Sequence, residues 1–135
     1  MATVRLWSDD DAAADPVVSA VFADIRATRK SEFVNDFWRA LANDRQNLRR
    51  VWEDLKRVMI APGALDPLTC ELVYIAVSIT NGCQYCIHSH TAAARAKGMT
   101  DAQHGHLLAI VGMANQTNAL VTGMGIEPDA AFRVG

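Results

Sequence analysis

The strongest constraint on the fold lies between Asp66 and Gly98, where two helix-length runs are joined by Thr80-Asn81-Gly82. Asp66-Pro67 is a helix start: the carboxylate can accept from the first unpaired N–H groups, and proline has no N–H to lose there. Beyond it, Leu68, Leu72, Val73, Ile75, Ala76, Val77 and Ile79 make a helix over 66–80 that is apolar almost all round. Such a helix has to be buried on several sides, so in a chain of 135 residues it is central or shared with another subunit. Asn81-Gly82 breaks it. The next run, 83–97, is rich in alanine (Ala92, Ala93, Ala94, Ala96), which permits close helix approach, and Gly98 supplies a C-cap. With so short a connection the two helices fold back as an antiparallel hairpin.

That hairpin carries the reactive side chains. Cys83 and Cys86 form a C-x-x-C pair, and His90 follows four residues later. On a helix all three fall within about 60° of one another. Cys83 stands at or near the N-cap and Cys86 in the first turn, where unpaired N–H groups and the helix dipole favour a thiolate. Cysteines so placed can drop from a pKa of about 8.5 to roughly 3.5–7.5. Helix position favours Cys83 for the lower value, and closeness to His90 favours Cys86. In the hairpin register, Glu71 lies level with His90 or the turn beyond it, not beside Cys83. The order is then Cys83 at the mouth, Cys86, His90 and Glu71, a line along which a proton can pass from thiol through imidazole to carboxylate. If Glu71 is buried against His90, its pKa is expected to rise toward the range useful for relay. The alternative is that it anchors an arginine such as Arg95.

The full pattern is Glu71, eleven residues, Cys83-Gln84-Tyr85-Cys86, three residues, His90, then a helix ending at Gly98. It resembles the AhpD-like alkylhydroperoxidase branch of the carboxymuconolactone decarboxylase superfamily, over about residues 60–125. The resemblance implies the AhpD-like helical fold, found as trimers or hexamers. It implies that Cys86 attacks a hydroperoxide, Cys83 resolves the sulfenic acid as a disulfide, and His90 and Glu71 relay the proton. An external dithiol or disulfide reductant resets the pair, and no metal, flavin or haem cofactor is needed. The best-studied members of that branch carry a histidine directly before the second cysteine. Here it is Tyr85, read as lining the substrate pocket, and this departure favours a second reading: a dithiol–disulfide oxidoreductase or redox sensor with little peroxidase turnover. A third is the lactone-acid decarboxylation of the namesake branch, which needs a base and no dithiol. A fourth is an oligomeric binding module with inert cysteines.

Zinc ligation by Cys83, Cys86, His88 and His90 is disfavoured, because His88 lies about 200° from His90 around the helix and four ligands in eight residues of helix cannot surround one ion. His104 and His106 are also about 200° apart, so only one of them can face the thiols. Cys70 points about 100° away from Glu71 and reads as a core or interface thiol.

The remainder of the chain reads as helical. Asp15-Pro16 opens a helix to Arg29-Lys30; a second spans 31–43 with Ser31 as its cap; a third starts at Asp44 with Leu48, Val51, Trp52 and Leu55 on one face and charges on the other. Ala61-Pro62-Gly63 breaks the chain ahead of the hairpin. Thr100-Asp101 starts another helix, expected to bend or stop around 112–115, with a further piece over 116–122. The expectation is therefore an all-α protein of six to seven helices: a mobile arm over 1–15, one domain over 16–125 and a tail over 126–135. A formal net charge of −2 gives no support for a nucleic-acid partner. The N-terminus has no apolar core of a secretory signal, no run of about 18 apolar residues suggests a membrane span, and the odd count of three cysteines suits a cytoplasmic redox protein better than a disulfide scaffold.

Overall fold

The computed structural model describes residues 1–133, and every regular element among them is helical. In order these are α1 (Asp9–Ala13), α2 (Pro16–Arg29), α3 (Asp36–Leu41), α4 (Arg45–Leu55), α5 (Pro67–Thr80), α6 (Gln84–Ala96) and α7 (Asp101–Met124). A π-helical turn, Lys56–Ile60, extends α4, and a single 3-10 turn spans Ala130–Phe132. The all-α expectation holds. The chain groups into two compact units, Met1–Gly63 and a second from Ala64 onward. The break falls at Ala61-Pro62-Gly63, where proline and glycine end the helical run.

In the first unit, Asp15 caps α2 by accepting from the N–H groups of Val17 and Val18 at 2.9 and 3.2 Å. Val18, Phe22 and Ile25 of α2 pack with Trp38 of α3 and with Leu48 and Trp52 of α4, all almost fully buried. The two tryptophans meet edge to face at 5.2 Å between centroids. Trp52 keeps its indole N–H satisfied by donating to Asp24 at 2.7 Å, and Lys56 pairs with the same carboxylate at 2.6 Å.

Three details differ from the sequence reading. Residues 1–15 pack on this unit. Ser8 and Asp11 close a capping box that starts α1, Trp7 donates its backbone N–H to Arg39 O and its indole N–H to Asn43, and Asp9 takes both Arg26 and Arg39 at 2.8 and 2.9 Å. Those partners are remote in sequence, so a local reading of the acidic stretch cannot see them. The helix expected over 31–43 starts only at Asp36, because the Ser31 hydroxyl accepts from the Phe33 N–H in a turn. Lastly, α7 runs unbroken through 112–115: Gly112 weakens a helix by about 1 kcal/mol but lacks the steric clash with which proline stops one.

Within the second unit, α5 packs against both α6 and α7 around Ile75, Ala94 and Met99. The outer face of α5 stays open, with Val73 51% and Val77 55% exposed. Thr100 starts α7 with a capping box, its hydroxyl accepting from the Gln103 N–H at 3.1 Å while the Gln103 side chain accepts from the Thr100 N–H at 2.9 Å. Thr100→Ala is therefore expected to cost about 1 kcal/mol, read as a lower urea midpoint with an unchanged slope. An unchanged midpoint would mean that this cap carries no stability. Among the described residues, no helix is long and apolar enough to cross a membrane.

Candidate active site

The turn between α5 and α6 is built as its sequence suggests. Gly82 takes the left-handed conformation (φ 69°), and the Cys83 N–H returns to Ser78 O at 2.9 Å. Cys83 is then the N-cap of α6. Its sulfur accepts from the Cys86 N–H at 3.4 Å, and the Cys86 thiol lies 2.7 Å from it. Both thiols are free and half-buried.

These contacts treat the two sulfurs differently. The hydrogen bond from the Cys86 thiol, helped by the N–H groups of Cys86 and Tyr85, draws the Cys83 pKa below its ordinary 9.0. Burial, the hydrogen bond Cys86 gives to Cys83 and the negative charge on Cys83 push Cys86 up to about 11. Of the two, Cys83 is therefore the sulfur that ionises first, and Cys86 is the one that keeps its proton. Helix position outweighs closeness to His90. Thiolate absorbance is expected to rise in two steps, the first below 9.0 and the second at about 11. Simultaneous titration of both thiols near the ordinary value would contradict this arrangement.

Farther along the hairpin, His90 Nδ1 meets Glu71 Oε2 at 2.7 Å. An ionised carboxylate only accepts, so the imidazole carries its hydrogen on Nδ1 and presents Nε2 as the basic nitrogen. Glu71 is 5% exposed. The antiparallel register thus brings Glu71 to His90 and not to Cys83, as the spacing implies. The expected rise in the Glu71 pKa does not occur. Burial does push the carboxyl up, but hydrogen bonds from His90 and Lys97, with their charges, outweigh it and hold Glu71 below its ordinary 4.5. Lys97, not Arg95, is the cationic anchor, with Nζ 3.0 Å from Oε1. Arg95 turns instead to Asp101 at 2.9 Å and His104 at 3.4 Å. Because the folded Glu71 pKa is lowered, the unfolded chain binds more protons. Stability from this cluster is complete above about 4.5 and is lost as pH falls through the lower folded value.

Tyr74 is a site residue that the sequence reading missed. Its ring stacks on His90, with centroids 3.6 Å apart and planes 22° apart, which fixes the imidazole plane. Burial, and then the charges of Cys86, Cys83 and Glu71, push its phenol pKa up, so it stays protonated. The available signal was the i, i+3, i+7 polar stripe Glu71, Tyr74, Ser78 on an otherwise apolar helix. Tyr85 is largely exposed, and its backbone N–H serves the Cys83 sulfur. His88 and His106 are exposed. Cys70 makes a weak contact with Leu65 O at 3.8 Å. Among the described residues, no three histidine, cysteine or acidic side chains converge as a metal site.

Beyond this helical hairpin with its dithiol and buried Glu–His pair, comparison with known families finds that residues 46–126 match the model of the carboxymuconolactone decarboxylase family. The chain belongs to that family. Its AhpD-like fold is matched along its whole length by the crystal structure of the alkylhydroperoxidase AhpD core from Rhodospirillum rubrum ATCC 11170, with 63% identity, a TM-score of 0.97 and coverage of 100% of this chain and 99% of that one. Alkyl hydroperoxide reductase AhpD of Solibacter usitatus (strain Ellin6076) is 33% identical over 75 residues, 56% of this chain and 41% of that protein. Uncharacterized protein 4 in the cox locus of Paracoccus denitrificans is 41% identical over 49 residues, 36% of this chain and 44% of that protein. The matches thus span less than half the length of these two curated relatives.

Proposed function

We propose that this protein is a thiol-dependent hydroperoxidase that reduces small organic hydroperoxides or hydrogen peroxide through a Cys83/Cys86 dithiol–disulfide cycle. The observation that carries the reading is the pair of sulfurs 2.7 Å apart at the start of α6, with the Glu71–His90 pair one turn beyond on the same face. Likeness to the Rhodospirillum alkylhydroperoxidase AhpD core supports it. Along the short contact, Cys86 passes its proton to Cys83 and becomes the attacking thiolate. It attacks the terminal peroxide oxygen, the O–O bond breaks, and Cys86 is oxidised to the sulfenic acid. The departing alkoxide takes a proton drawn from solvent through His90 and leaves as the alcohol. Cys83 then condenses with the sulfenic acid, forming the disulfide and releasing water. An external dithiol or a disulfide reductant returns both thiols by exchange.

The working form in this reading is a homo-oligomer, a trimer or hexamer. Val73 and Val77 on α5, with Leu108, Ile110 and Met113 on α7, leave large apolar side chains exposed, of the kind an interface between copies covers. The assay is consumption of tert-butyl hydroperoxide by the full chain with dithiothreitol as reductant. Turnover that requires both cysteines is expected; consumption at the rate of dithiothreitol alone would overturn the proposal.

One observation favours a second reading. A lowered pKa at the outer sulfur, Cys83, with Cys86 pushed up to about 11, suits attack on an external disulfide. A dithiol–disulfide oxidoreductase would reduce a small aromatic disulfide rapidly and hydroperoxides negligibly. Decarboxylation of a lactone acid, as in the family's namesake branch, leaves the paired thiols without a task.

A further inference from the structure

We propose that Lys97 is a positioning residue of the thiol site: it holds Glu71 as a fixed carboxylate anchor, so that the proton relay ends at His90 and does not continue to Glu71. Its catalytic consequence rests on the hydroperoxidase reading above, but the geometry behind it does not. Lys97 stands at the C-cap of α6, two turns beyond His90, and reaches back along the hairpin to Glu71. Its Nζ holds Oε1 at 3.0 Å while His90 Nδ1 holds Oε2 at 2.7 Å. Each oxygen of a nearly inaccessible carboxylate is therefore committed to a different donor. A proton arriving at Glu71 would displace one of those donors. It would also leave the Lys97 ammonium facing a neutral acid in place of its counter-ion. The imidazole, with Nε2 unengaged by Glu71, is the group left to carry the proton.

The surroundings of Glu71 agree. From α6 it is faced by His90 and Lys97, and on its own helix the titratable neighbour is Tyr74, whose phenol stays protonated. From α7, which also packs on α5, the charged and titratable groups nearest this end are Asp101 and His104, and they engage Arg95. Among the described residues, α7 gives Glu71 no hydrogen bond or ion pair. The lowered Glu71 pKa is the electrostatic counterpart of the same contacts.

The test compares Lys97→Met, Lys97→Gln and Lys97→Arg in the full reduced chain, following the Glu71 carboxyl by carbon NMR and the rate of peroxide-driven disulfide formation as functions of pH. In Lys97→Met, the Glu71 midpoint is expected to rise by about one to three pH units, the shift an adjacent opposite charge commonly imposes. The oxidation rate then gains an acid limb that falls as pH drops through the new midpoint. Lys97→Gln, which keeps a donor and loses the charge, shifts the midpoint in the same direction and serves if the methionine variant fails to fold. Lys97→Arg restores both the midpoint and the profile. A Glu71 midpoint that stays put in the uncharged variants would overturn the proposal, whatever happens to thermal stability. The same holds for an arginine variant that behaves like the methionine one. If no variant, nor the native chain, reacts with hydroperoxide, the hydroperoxidase reading fails, and the Glu71 titration still decides the role of Lys97.

Discussion

Cys86→Ser is expected to abolish peroxide-driven oxidation of the chain, while Cys83→Ser is expected to keep a single round of it. In the first variant the sulfur that enters the peroxide bond is gone, and serine in the same helical turn is a weak nucleophile at its ordinary pKa. Cys83 remains as an outer sulfur with no neighbouring thiol to supply or take a proton. In the second variant Cys86 loses the negative neighbour that helps hold its proton, so its pKa is expected to fall from about 11. It then gains one oxygen from one equivalent of hydroperoxide and stops there, because no resolving thiol is present. Mass spectrometry of the intact variants, with a sulfenic-acid trap, reads both outcomes. The reverse pattern, one oxygen trapped on Cys83 in the Cys86→Ser protein, would exchange the roles of the two sulfurs.

His90→Gln is expected to slow formation of the disulfide by about 100- to 10,000-fold, the range typical of removing a positioned acid–base group. Glutamine can keep a hydrogen bond to Glu71 but cannot accept and return a proton at neutral pH. Stacking on Tyr74 at 3.6 Å and the 2.7 Å bond to Glu71 hold the native imidazole in one orientation. The loss should therefore appear in the rate and not in the number of reactive thiols. Stopped-flow measurement of thiol loss after mixing with peroxide gives that rate. A native-like rate in His90→Gln would mean that proton delivery comes straight from water and that the Glu71–His90 pair is structural.

Much of this site could be read from the sequence because its parts lie along one hairpin. Cys83, Cys86 and His90 are fixed relative to one another by helical spacing on α6, and the three-residue turn sets the register that brings Glu71 to His90. What escaped depends on contacts that no period encodes. Lysine in the last turn of a helix is commonplace, since it complements the dipole, so nothing marked Lys97 as the partner of Glu71. Burial alone predicts a rise in the Glu71 pKa, and the hydrogen bonds from His90 and Lys97 together turn it into a fall. Tyr74 in an apolar helix reads as core until the imidazole is seen stacked on it. Away from the site, the helical patterns of α2, α4 and α5 gave their positions closely. The packing of α1 escaped because Asp9 finds Arg26 and Arg39 across 17 and 30 residues of chain. The open apolar side of α5 is a further consequence of a pattern that is apolar all round, since a single copy of the second unit covers only part of it.

The most direct test of the dithiol cycle is the intact mass of the reduced protein before and after one equivalent of an organic hydroperoxide, with Cys86→Ser in parallel. The account predicts a rapid loss of two hydrogens in the native chain and none in the variant. A native chain that ignores the peroxide yet loses two hydrogens to a small disulfide would contradict it and make the protein a dithiol–disulfide oxidoreductase.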